Sequence, residues 1–131
     1  MGVSGMVMGV VIVDHGSRLE ESNRLLEEVV RTFAAGNGDK FPVVEAAHME
    51  LAKPTIGQAY DACVARGATE IVVSPFFLGP GKHWTRDIPE LIEEAAARHP
   101  ETTWKLAAPL GNHPLVQHLL LQRIRETLGE A

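Results

Sequence analysis

The chain has 131 residues, 45% of them hydrophobic and 22% charged, with a formal net charge of −5. That length fits a single domain, residues 1–131, able to bury a real core. The negative balance argues against nucleic acid or an anionic membrane as partner, so an anionic ligand must be met by local cations.

The first element is the apolar run at residues 6–14, ending in Asp14-His15-Gly16-Ser17. It is far shorter than the ~20 residues of a membrane span and reads as a buried parallel strand closing at a tight turn. Over residues 20–35, Leu25, Leu26, Val29, Val30 and Phe33 recur at helical spacing, and Gly36-Asn37-Gly38 stops that helix. Residues 41–49 form a second strand. Pro54 opens a second helix with Ile56, Ala59, Tyr60, Cys63 and Val64 on one face, ended by Gly67. A third strand, residues 71–74, breaks at Pro75 and passes Phe76 and Phe77 into the Gly79-Pro80-Gly81 loop. Helix 85–98, strand 102–108 and helix 115–128 complete the chain. Cys63 is the single cysteine, which rules out an internal disulfide and suits a reducing, cytoplasmic setting.

Four β-α units imply an α/β fold, a flavodoxin-like open parallel sheet of four strands with helices on both faces. The order 2-1-3-4 sets the carboxyl ends of strands one and three side by side, where ligands bind in open parallel sheets. His15 and His83 then face each other across one crevice. The second strand end adds His48 and Glu50 to that rim, and the fourth adds Asn112 and His113.

His15 can serve as metal ligand or base, because an unperturbed imidazole is largely unprotonated near neutral pH. The plainer alternative is a strand-end histidine bonded to backbone. His83 is held out of regular structure by its stiff loop; the alternative there is a rigid turn with an incidental histidine. Two histidines suit Co, Ni, Fe or Zn better than Ca or Mg. With only Glu50 as a third donor they are too few for structural zinc and fit a metal in transit. Arg18, Lys82 and Arg86 are candidates for holding carboxylates, against the common fate of solvated surface cations. Of Phe76 and Phe77 one belongs to the core, and the other, with Leu78 and Trp84, can wall a flat ligand. Asp14 either orients His15 or caps the turn. The surroundings of Ser17 are not a nucleophile elbow, and no glycine-rich phosphate loop is present, which disfavours a hydrolase and an NTP- or dinucleotide-binding protein.

Three stretches resemble, in order, the motifs of the small class II chelatases of the CbiX/SirB type. The first is Val13-Asp14-His15-Gly16-Ser17-Arg18 with Glu21-Ser22-Asn23; the second is Glu50-Leu51-Ala52-x-Pro54-Thr55-Ile56. The third is Val73-x-Pro75-Phe76-Phe77-Leu78-x-Pro80-Gly81-x-His83-x-x-x-Asp87-Ile88-Pro89. The wording at His48-Met49-Glu50-Leu51-Ala52 and Lys82-His83-Trp84 is similar to the sirohydrochlorin ferrochelatases of plants and algae. This resemblance implies ATP-independent insertion of Fe²⁺ or Co²⁺ into sirohydrochlorin, for siroheme or cobalamin biosynthesis; Ni²⁺ also accepts imidazole. It implies His15 and His83 as the metal-handling, catalytic histidines, and a homodimer; the donor set at the strand ends adds Glu50 as a weaker third catalytic group. Ser17, Arg18, Phe76, Phe77, Leu78, Lys82 and Arg86 then contact the substrate. The metal is a substrate and no tightly bound cofactor is expected. Plant enzymes carry C-terminal cysteines for an iron–sulfur cluster; Gly129-Glu130-Ala131 has none, so no cluster is expected. The expected compartment is the cytoplasm, or the plastid stroma in a photosynthetic eukaryote. The rival from another class is a non-catalytic metal or tetrapyrrole carrier using the same crevice.

Overall fold

The computed structural model describes residues 6–79, 81 and 84–130, with Trp84 described by its backbone alone. Strands and helices alternate as β1 (Met8–Asp14), α1 (Glu20–Asn37), β2 (Val43–His48), α2 (Ile56–Ala65), β3 (Glu70–Pro75), α3 (Trp84–Ala97), β4 (Thr103–Leu106) and α4 (Pro114–Thr127). The four strands form a parallel sheet in the order β2-β1-β3-β4. The expected α/β architecture is present, and its register aligns Asp14 with His48 and Val13 with Pro75.

β1 is apolar up to its last residue, Asp14, because it lies inside the sheet, covered on both faces. Its alternate side chains join different layers. Val11 and Val13 pack with Ile56, Tyr60 and Cys63 of α2 and with Ile88 and Ile92 of α3. Val10 and Ile12 pack instead with Leu26 and Val30 of α1. Each of these aliphatic side chains, fully buried, contributes about 1.5–3 kcal/mol. At Gly9 an added Cβ would stand 2.8 Å from the Ala68 Cβ, so the approach of the chain leaving α2 depends on that glycine.

Three local outcomes differ from the sequence expectation. Pro54 does not open α2; Thr55 is the N-cap, its Oγ1 accepting the Gln58 N–H at 3.1 Å while Gln58 Oε1 accepts the Thr55 N–H at 2.9 Å. β3 continues through Pro75, since the bond to β1 at this level comes from the Phe76 N–H to the Val13 oxygen, 2.7 Å. The nitrogen of Pro75 points towards β4, and the β3–β4 pairing ends at Val73 and Leu106 because the next N–H is missing. That ends β4 earlier than the expected 102–108.

α4 stands outside the layered pattern. None of its residues is buried. Leu115, Leu119, Leu120, Leu121 and Ile124, together with Leu128 at its C-cap, are between 46% and 70% exposed. His113 caps the helix, its Nδ1 accepting the Leu115 N–H at 3.1 Å. Among the described residues no helix is long and apolar enough to cross a membrane.

Candidate active site

The carboxyl ends of β1 and β2 are joined beyond the strands themselves. The Met49 N–H donates to the Asp14 oxygen at 2.9 Å and the Glu50 N–H to the His15 oxygen at 3.1 Å. His15 and Glu50 are therefore main-chain neighbours. Gly16 then turns the chain at φ +89°, where an added Cβ would stand 1.8 Å from the Glu50 carbonyl oxygen. Only glycine permits that approach in that conformation. Leu51, next to Glu50, also has a left-handed backbone, φ +70°. Such strain costs about 1–3 kcal/mol per residue and clusters at functional sites.

Side chains lock this turn. Asp14 Oδ1 accepts the Gly16 N–H at 2.9 Å and lies 2.6 Å from His48 Nδ1. Asp14 therefore caps the turn, one of its two expected roles. Ser17 Oγ accepts the Leu19 N–H at 3.0 Å. Asn23 holds the Ser17 backbone from both sides, its Oδ1 accepting the Ser17 N–H and its Nδ2 donating to the Ser17 oxygen.

The exposed His15 lies on the side of the sheet that carries α2 and α3. Its imidazole meets Phe77 edge-on, with centroids 4.7 Å apart and planes at 79°. Partial burial pushes the His15 pKa below the ordinary histidine value; the Asp14 and Glu50 carboxylates raise it but do not offset the burial. An imidazole neutral at pH 7 has the lone pair that metal ligation and proton acceptance both need. Phe77 packs on the α2–α3 core, whereas Phe76 is 38% and Leu78 63% exposed. Two bonds tie this exit from β3 to the exit from β4: Leu110 N–H to the Phe77 oxygen, 3.0 Å, and Gly111 N–H to the Leu78 oxygen, 2.8 Å. Between them lies an apolar cavity of about 130 Å³, lined by Pro75, Phe77, Ile88, Leu106 and Pro109 among others.

The structure thus brings His15, Glu50 and Phe77 to one end of the sheet. Arg18 and Arg86 are exposed, Arg86 in the first turn of α3. Lys82 and His83 lie outside the described residues. His48 corrects the expectation for the rim: it is fully buried and bonded to Asp14. Its register places it with Val44 and Ala46, on the α1 face, opposite to His15. Among the described residues, no three His, Cys, Asp or Glu side chains form a group able to hold a metal. Asn23, Gly16 and His48 matter to the turn more than the sequence suggested; the first two stand inside the opening motif, which was their only signal.

Residues 9–127 match the profile of the CbiX family. The chain is 49% identical over 121 residues to the chloroplastic sirohydrochlorin ferrochelatase of Arabidopsis thaliana, covering 92% of this chain and 53% of that protein. It is 33% identical to the sirohydrochlorin cobaltochelatase of Methanopyrus kandleri, covering 95% of this chain and 99% of that one. A structure of SirB from Bacillus subtilis with Fe³⁺ superposes with a TM-score of 0.84 at 31% identity, over 93% of this chain and 48% of SirB. The chain spans about half the length of the Arabidopsis and Bacillus proteins. Its match from residue 9 to residue 127, together with the shared fold, makes it a member of the CbiX family.

Proposed function

We propose that this chain, as one chelatase domain over residues 1–131, inserts Fe²⁺ or Co²⁺ into sirohydrochlorin without ATP. The observation that carries the reading is His15, an exposed imidazole with a lowered pKa, fixed beside Glu50 and against Phe77 at the open end of the sheet. Metallation exchanges two pyrrole N–H protons for one divalent ion. His15 ligates the incoming metal or accepts a departing proton, His83 supplies the second imidazole, and Glu50 is the weaker third acceptor. Phe76, Phe77 and Leu78 form an apolar wall for the macrocycle. Ser17, Arg18, Lys82 and Arg86 meet its peripheral polar groups, the cations holding carboxylates. The reading is supported by the names of the relatives, ferrochelatase in one case and cobaltochelatase in the other. Imidazole accepts Fe²⁺, Co²⁺ and Ni²⁺, so selection among them depends heavily on availability. The reaction belongs to the cytoplasm, or to the plastid stroma in a photosynthetic eukaryote, as the name of the Arabidopsis relative supports.

The working unit is a homodimer, in which a second copy takes the place of the second half of a longer chelatase. Support comes from the SirB chain, of which this one covers 48%, and from α4. A helix with apolar residues at every turn normally faces a core, yet α4 buries none. Apolar patches beyond a few hundred Å² mark interaction sites.

Metal-dependent loss of the free sirohydrochlorin absorption spectrum measures the reaction. His15→Ala and His83→Ala are each expected to slow it by about 10²-fold or more. Stoichiometric binding of sirohydrochlorin by the wild type without turnover rules out the enzyme and leaves a carrier.

A further inference from the structure

We infer that His48 is a positioning residue for His15 and Glu50, an inference that rests on the chelatase reading. His48 is fully buried, and its Nε2 has no hydrogen-bond partner among the described residues. A buried polar atom left unsatisfied opposes folding, so an imidazole is a poor choice for filling this space. The reason for it lies at the other nitrogen. Asp14 Oδ1 already accepts the Gly16 N–H, so His48 Nδ1 donates to that same oxygen, at 2.6 Å. This places a ring proton on Nδ1.

The bond holds together both segments that carry the site. On one side, Asp14 Oδ1 fixes Gly16 and hence the direction in which His15 leaves β1. On the other, the His48 N–H donates to the Pro54 oxygen at 2.8 Å, and His48 forms an isolated bridge with Thr55. The main chain of His48 thereby closes the loop of residues 49–54 that carries Glu50, and its side chain joins this closed end to Asp14. The His48 Cβ also lies directly beneath Gly16, 3.2 Å from where a Cβ would stand. The Nδ1–Oδ1 bond therefore ties the Gly16 turn beside His15 to the end of β2, from which the Glu50 loop leaves, without touching either reacting group.

Steady-state metallation with Co²⁺ tests this on variants whose circular dichroism matches the wild type. His48→Leu removes the donor to Asp14; His48→Asn restores an N–H near the position of Nδ1. Loss of an outer-shell partner typically costs 10–100-fold. His48→Leu is expected to lower kcat by roughly that factor with the KM for sirohydrochlorin unchanged, and His48→Asn to recover most of it. Should His48→Leu not fold, His48→Gln, whose amide overshoots the Nδ1 position, is read in the same way. An active wild type with an unimpaired His48→Leu, or a His48→Asn as slow as His48→Leu, overturns the positioning role alone. A wild type that never metallates sirohydrochlorin overturns the chelatase reading and this inference with it.

Discussion

Protonation of His15 removes the lone pair on which its proposed role depends, so burial, partly opposed by the carboxylates around it, sets the acid limit of activity. Burial lowers the His15 pKa, while Asp14 and Glu50 raise it. Replacing Glu50 by glutamine removes one of the two opposing charges and leaves burial less opposed. The pKa of His15 then falls further, and the acid limb of the kcat/KM profile moves to lower pH in Glu50→Gln than in the wild type. A limb that stays in place or moves up assigns the titration to another group. The histidine itself was legible in the sequence, because an apolar run ending at Asp-His-Gly places it at a strand end. His48 was not, since it also stands at a strand end, and only the β1–β2 register turns it towards α1 and under Gly16. Facing is a property of pairing, and pairing is not written in one strand alone.

The Glu50 loop depends on an element boundary as much as on its own residues. Thr55 caps α2 and forms the bridge to His48, so the first turn of the helix anchors the loop. Thr55→Ala removes the Oγ1 acceptor and is expected to cost about 1 kcal/mol, a fall in Tm of roughly 3–5 °C for a domain of this size. Calorimetry checks this, and an unchanged Tm denies the capping box any weight. The elements themselves were readable because hydrophobic periodicity and glycine punctuation agree along the chain. Their ends were less so. Thr55 displaced Pro54 as the start of α2 because its hydroxyl satisfies a backbone N–H, which proline at that position cannot do. β4 stopped early because of a proline on a neighbouring strand, a cause remote in sequence.

At the scale of the molecule, periodicity in α4 identifies an apolar face but not what covers it. Burial of the face against its own sheet and burial against a second copy leave the same sequence pattern. The structure decides against the first, since no residue of α4 is buried, and the proposed dimer supplies the second. Leu120 and Ile124, 53% and 54% exposed, lie one turn apart, so both can face one partner. Fully burying a leucine or isoleucine contributes about 1.5–3 kcal/mol, and half that remains to be gained at each of these positions. Glutamate at both sites removes that gain and also sets two charges against an apolar surface, at a further cost of several kcal/mol. With about 1.4 kcal/mol per tenfold change in affinity, the double variant Leu120→Glu, Ile124→Glu should bind its partner at least roughly 100-fold more weakly. Analytical ultracentrifugation is expected to give a dimer for the wild type and a monomer for the variant. Both side chains are already half open to water, so the helical circular dichroism should not change. Metallation per chain should fall with the dimer and recover as the variant is concentrated. A wild type that sediments as a fully active monomer removes the second copy from the site and leaves the apolar face of α4 to some other contact.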